Sequence, residues 1–336
     1  MPPTPLPQIA PTAWEHPADR AALNALRALP GFDEAVRRIF GFFGERGIRH
    51  FFLANAVRVS PRQRPQLDAL YTEVLETLDW PGGGPEVVGT RAGRPDLYVT
   101  QTPFVNAAAV GFEKPFIVIN SAALVLLDRE EQRFILAHEI GHIMSGHVVY
   151  RTIAIILLTL GLRNLPFLAG MALLPFQIAL LEWYRKSELS ADRAGLLGVQ
   201  DPRAVMGGFL KLAGGEAGSD QADVDEFMIQ AAEYETGGNA WDSVLKLLNT
   251  AFRDHPFGTV RAAELQRWVQ AGEYERIVAG DYPRRDGTGE RPLGDDFVDA
   301  AGYYGTQVRD AVTQIGDSLD RARQAFSDAF RRGTTD

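Results

Sequence analysis

Near the middle of the chain, His138-Glu139-Ile140-Gly141-His142 places two histidines four residues apart around a glutamate. On an α-helix, residues four apart stand one above the other on a single face, so both imidazoles can reach one ion. Glu139 lies about 100° round the same helix, near enough to touch water beside the ion without ligating it. The segment has its own start signal. Asp128 with Glu131 three residues later forms a capping box, and predicts a helix from there through about His147. The chain has 336 residues, no cysteine and six histidines. Disulfides, thiolate metal sites and cysteine nucleophiles are thereby excluded, and any metal must be held by His, Asp or Glu.

A third ligand should come from a separate element. Glu188, in Arg185-Lys186-Ser187-Glu188-Leu189-Ser190-Ala191-Asp192, fits that need. On a helix Asp192 is one turn further on the same face, where it could accept the free ring N–H of a ligating histidine and fix its tautomer. Alone, a Glu-x-x-x-Asp pair is usually a solvated helix face; joined to the upstream histidines it completes a two-His, one-Glu site. Zinc held by three protein ligands keeps an open position and lowers the pKa of its water to about 7. Glu139 can then take that proton as hydroxide attacks a carbonyl.

Residues 1–17 are proline-rich, without the basic and apolar regions of a signal peptide, and read as an extended, mobile leader. Helical patterns follow at Ala18–Leu29, Asp33–Arg46 and Arg64–Leu78. Glu86–Gly89, Asp96–Thr100 and Pro115–Asn120 are short and rich in Val, Ile, Tyr and Phe, as strands of a small sheet would be. Thr152–Leu181 is the most apolar stretch. Its arms, Thr152–Leu162 and Leu165–Leu181, are about 16 and 26 Å long as helices, and prolines interrupt the second. It is either a shallow membrane hairpin or an apolar lid packed on the protein itself. Further helices are predicted at Arg185–Leu197, Pro202–Leu212, Ala222–Tyr234, Trp241–Phe252 and Thr259–Ala271. Residues 286–336 hold a linker and one long amphipathic helix. The fold expected is α+β, mainly helical, with a small sheet beside the helix that carries the histidines.

The series formed by His-Glu-Ile-Gly-His, an apolar hairpin, Ser-Glu-Leu-Ser-Ala-Asp, then His255-Pro256 and Arg261 resembles the M48 family of zinc metallopeptidases. This is the gluzincin group that contains the CAAX prenyl protease and the bacterial HtpX-type quality-control protease. The resemblance spans about Ala56 to Arg285, so the peptidase domain is expected at 18–285, with the hairpin 152–181 inside it. It implies one Zn2+ per chain, held by His138, His142 and Glu188, with Glu139 as general base and acid. It further implies Asp192 as partner to a ligand, His255 as hydrogen-bond donor to the oxyanion, and Arg261 as support for these groups. Val105-Asn106-Ala107-Ala108-Ala109 matches the family's Pro-Asn-Ala segment, with Val105 where proline is usual. It implies a substrate strand beside Asn106, Ala107 and Ala108. His147 is five residues past His142, off the metal face, and reads as structural.

The activity implied is a zinc endopeptidase acting on peptides or unfolded proteins, with a role in membrane-associated quality control. A catalytically silent or latent membrane-associated scaffold of the same fold is the alternative. Manganese or cobalt would suit the same ligands. With Lys+Arg 34 against Asp+Glu 43, the net charge of -9 argues against a nucleic-acid partner. The C-terminal helix either docks on its own domain or mediates self-association. The cytoplasm is the expected location, peripheral or monotopic at the inner membrane. Arg151 and Arg185-Lys186 flank the hairpin arms on the side that the positive-inside rule favours.

Overall fold

The computed structural model describes residues 2–28, 32–81, 93–160, 173–214, 223–236 and 258–287. The expected elements at Glu86–Gly89, Trp241–Phe252 and the C-terminal helix, together with His255, lie outside these residues. In chain order the structure contains α1 (Pro17–Arg27), α2 (Phe32–Leu53), β1 (Ala56–Arg58), α3 (Pro65–Thr77), β2 (Asp96–Thr100), β3 (Ala107–Val110) and β4 (Phe116–Asn120). There follow α4 (Ser121–Leu126), α5 (Arg129–Met144), α6 (Val148–Leu160), α7 (Leu173–Val199), α8 (Pro202–Ala213), α9 (Val224–Thr236), α10 (Gly258–Gln270) and α11 (Glu273–Val278). Helices surrounding one small mixed sheet make this an α+β fold, mainly helical, as expected.

The strand order is β1-β2-β4-β3, with β2 parallel to β4 and the outer strands antiparallel. Side chains alternate across a strand, and both faces of this sheet are covered. Ile117 and Ile119 of β4 enter a core shared with Phe134, Leu136 and Ile140 of α5. Phe116 and Val118 enter a second core with Ile39 of α2, Ile153 and Ile156 of α6, and Trp183 of α7. The unbroken apolar run of β4 follows from this two-sided burial.

Helix α5 begins as expected. The Asp128 side chain accepts the Glu130 and Glu131 amides, while Glu131 accepts the Asp128 amide at 2.8 Å. It ends at Met144, before His147, because Gly146 takes φ +72° and the chain bends by 106° into α6. Helices α5 and α7 lie in unusually close contact. A Cβ added to Gly141 would fall 2.5 Å from Ala194 Cβ, so the absence of a side chain permits the approach. This contact sets the distance between the histidine helix and the glutamate helix.

Two expectations need correction. The leader is neither fully extended nor loose: Pro11–Ala13 forms a single 3-10 turn. Leu6, Ile9 and Trp14 are buried, and Trp14 Nε1 donates to Ser145 Oγ at 3.0 Å. Leu6 N–H donates to the Thr77 carbonyl, and residues 8–10 pair with 283–285. Extended segments tied by isolated anchors carry no periodicity, so sequence pattern does not reveal them. Arg151 is likewise not a flanking charge at a membrane surface: it is fully buried. Ile153, Ala154, Ile156 and Leu157 on the first arm, and Leu180 on the second, pack into the second core. No single helix among the described residues is long and apolar enough to cross a membrane.

Candidate metal centre

His138 and His142 project from α5 toward Glu188 on α7, and all three are buried. One ligand atom from each lies within 4.8 Å of the others. Glu188 Oε2 is 3.5 Å from His138 Nε2, and Oε1 is 3.4 Å from His142 Nε2. The two Nε2 atoms face each other at 3.1 Å. The opposite ring nitrogens are already engaged. His138 Nδ1 is 3.0 Å from Asp192 Oδ1, and His142 Nδ1 is 3.0 Å from His147 Nδ1. With each Nδ1 carrying its proton outward, two lone pairs and a carboxylate converge on one point, which suits a divalent cation. The residues therefore fit the metal that the sequence reading implied.

Asp192 is itself held tightly. Arg261 on α10 donates through Nε to Oδ2 at 2.8 Å and through Nη2 to Oδ1 at 2.5 Å, a two-pronged clamp. Arg261 Nη1 also stands 3.2 Å from Glu188 Oε2. The other carboxylate oxygen of Glu188 receives Arg151 Nη1, and Arg151 Nη2 donates to Tyr184 Oη at 3.1 Å. Buried charges persist only when paired, and here two guanidiniums sit among three acidic groups.

The titration behaviour follows from these pairs. Burial opposes ionisation of Glu188, yet Arg151 and Arg261 hold its carboxyl well below the usual range. Burial would depress His138, but Asp192 and Glu188 outweigh it and raise the imidazole to about 9. Burial and the Arg151 charge keep His142 well below its ordinary value. The two imidazoles thus differ in proton affinity although they share one face of one helix.

Glu139 is buried beside them, and its Oε2 accepts the Ala109 amide at 2.6 Å. This bond follows from the sheet register. The Asn120 amide donates to the Asn106 carbonyl, which makes 106 and 120 a hydrogen-bonded pair; Ala107 and Ala109 then turn their amides and carbonyls to the open edge of β3. Ala107 and Ala108 begin this edge strand beside the glutamate, and Asn106 immediately precedes it.

Sequence reasoning missed three participants. In the sequence Arg151 reads as a charge flanking the apolar arm, and no motif marks His16 or Asp19. His16 caps α1 by accepting the Ala18 amide at 3.1 Å, and its Nε2 lies 3.6 Å from Glu264. Asp19 meets His147 Nε2 at 3.0 Å. His147 reads as structural in the sequence; its ring connects two side chains, His142 and Asp19. The partners of Arg151, Asp19 and His16 (Glu188, His147 and Glu264) lie 37, 128 and 248 residues away, and no local pattern records them.

A histidine pair one helical turn apart, closed by a glutamate from a second helix and flanked by a carboxylate, is the donor set of a metal-dependent hydrolase. Comparison with known sequences agrees. The model of peptidase family M48 matches residues 61–269, and the chain belongs to that family; it is a metallopeptidase. Over 271 residues it is 34% identical to the plastoglobule-localized metallopeptidase 48 of Arabidopsis thaliana chloroplasts, covering 79% of this chain and 74% of that protein. Two Protease HtpX homologs, from Helicobacter pylori strains Shi470 and J99, are 25% and 27% identical over 165 residues, 42% of this chain. The match covers 53% of each of them. No solved structure matches the chain.

Proposed function

We propose that this protein is a zinc-dependent endopeptidase in which His138, His142 and Glu188 hold the ion and Glu139 is the general base. The observation that carries the reading is the convergence of those three ligand atoms beside a buried carboxylate on an open strand edge. Bound there, zinc supplies a Lewis acid and lowers the pKa of water to about 7. The amide and carbonyl of Ala107, turned away from β4, hold an extended substrate by main-chain hydrogen bonds, with Asn106 and Ala108 on either side. Glu139, fixed by the Ala109 amide, takes the proton from the attacking water and returns it to the leaving amine. Asp192 keeps His138 in the tautomer that offers Nε2, and Arg261 fixes Asp192. His255 donates to the oxyanion, a contribution worth about 3 kcal/mol in comparable sites.

Unfolded protein is the substrate class we propose, at the cytoplasmic face of a membrane. The name of one relative, a plastoglobule-localized metallopeptidase, supports a lipid-associated setting. The complete ligand set and retained base disfavour a silent scaffold. The test is cleavage of casein by zinc-loaded wild type and by Glu139→Gln. The variant should bind zinc normally and lose activity by about 10²- to 10⁴-fold. Equal turnover in both proteins would refute the role of Glu139.

A further inference from the structure

We infer that the metal centre extends into the N-terminal segment, and that Asp19 on α1 positions the ligand His142 through His147. This rests on the reading of His138, His142 and Glu188 as metal ligands. The geometry is a relay: His142 Nδ1 to His147 Nδ1 at 3.0 Å, then His147 Nε2 to Asp19 Oδ2 at 3.0 Å. All three side chains are buried.

The direction of the relay follows from valence. A histidine that offers Nε2 to a metal is neutral and carries its proton on Nδ1. His147 Nδ1 must then accept, so its own proton is on Nε2 and needs an acceptor, which Asp19 supplies. No other arrangement satisfies every nitrogen while leaving His142 able to ligate. Asp19 is in turn immobilised. Trp183 Nε1 donates to Oδ1 at 3.0 Å and Ser190 Oγ donates to Oδ2 at 2.6 Å, while Ser190 Oγ accepts the His16 amide at 2.9 Å. Edge-on contacts of the His147 ring with His142 and Trp183, at 5.3 and 5.7 Å between centroids, fix its plane.

The two ligating histidines therefore have outer partners of different origin. Asp192 serves His138 from within the region that matches the family, 61–269, whereas Asp19 lies upstream of it. The docked leader and α1 do more than cover the core. They carry the anchor that sets the tautomer and ring angle of one ligand, and such outer partners are worth about 10- to 100-fold in metal affinity.

The test uses full-length protein, with zinc affinity measured by competition with a chromophoric chelator and the cobalt-loaded protein compared by its visible absorption. His147→Phe keeps the ring packing and loses both nitrogens; His147→Gln can still accept from His142 and donate to Asp19. Zinc affinity should fall about 10- to 100-fold in His147→Phe, with an altered cobalt spectrum, and recover in His147→Gln. A purely structural His147 would change thermal stability and leave both readouts at wild-type values, which overturns the inference. Nitrogen-15 shifts of the wild-type imidazoles give a check that needs no variant: His142 protonated at Nδ1 and His147 at Nε2 are expected, and His147 protonated at Nδ1 overturns the relay. A wild type that binds no zinc overturns the ligand reading itself and is recognised before any variant is compared.

Discussion

Gly141 stands between the two histidines, and replacing it with alanine tests the closeness of α5 and α7 directly. The new Cβ would lie 2.5 Å from Ala194 Cβ, with Ala191 Cα at 3.6 Å and its carbonyl oxygen at 3.7 Å. Carbon atoms in good contact are about 3.5–4.0 Å apart, so the helices must separate by roughly 1 Å or more. No rotamer change relieves the clash, because the opposing atoms are backbone or Cβ. Overpacking of this kind costs about 1–3 kcal/mol. In a solvent-exposed helix the same exchange would stabilise by about 0.8–1.0 kcal/mol, so the sign of the change is diagnostic. Function should suffer more than stability. Ligand distances are tolerated to about 0.2 Å, and the separation moves Glu188 away from His138 and His142 by several times that. Urea unfolding with and without zinc, together with zinc affinity from chelator competition, measures both consequences. A Gly141→Ala protein that is as stable as wild type and binds zinc equally well would refute the close-packed interface.

The raised pKa of His138 gives a sign for the pH dependence of the metal-free protein. Its imidazole goes from an ordinary 6.5 to about 9 on folding, so the stabilisation, roughly 3 kcal/mol, is full below pH 6.5 and lost as pH rises through 9. Unfolding in EDTA at pH 8, 9 and 10, above the range where the depressed His142 acts in the opposite sense, should show this fall; a His138→Gln variant whose stability changes with pH as the wild type's does would count against it. Zinc competes with that proton, so its affinity should instead climb as pH approaches 9. Arg151→Met removes one of the two cations on Glu188 and should cost about 3–5 kcal/mol without metal, and less with zinc bound. Equal losses in both forms would show that Arg151 does not act through Glu188. Trp14→Ala should cost about 3–5 kcal/mol, because the indole is fully buried and bonded to Ser145. Near-neutral thermal unfolding of that variant would mean the leader is not docked.

Much of the site was legible because its information is local. Asp128 and Glu131 define where α5 starts, the four-residue spacing of His138 and His142 defines which face they share, and the same spacing aligns Glu188 with Asp192. The β2 boundaries, Asp96–Thr100, follow from a short apolar run between breakers. Each is fixed by helix or strand geometry within a few residues. What only the tertiary structure decided depends on groups far apart in the chain. Arg151 reads in sequence as a charge beside an apolar hairpin; in the fold it closes onto Glu188, 37 residues on. His147 sits off the metal face by helical arithmetic, but the turn at Gly146 swings it back beneath His142, and Asp19 arrives from α1 to meet it. The leader looks unanchored because Leu6, Ile9 and Trp14 follow no period. Local geometry is encoded by spacing. The pairing of buried charges is set by which distant groups the packed core brings within reach, and the cost of leaving any of them unpaired in a medium without water selects that arrangement.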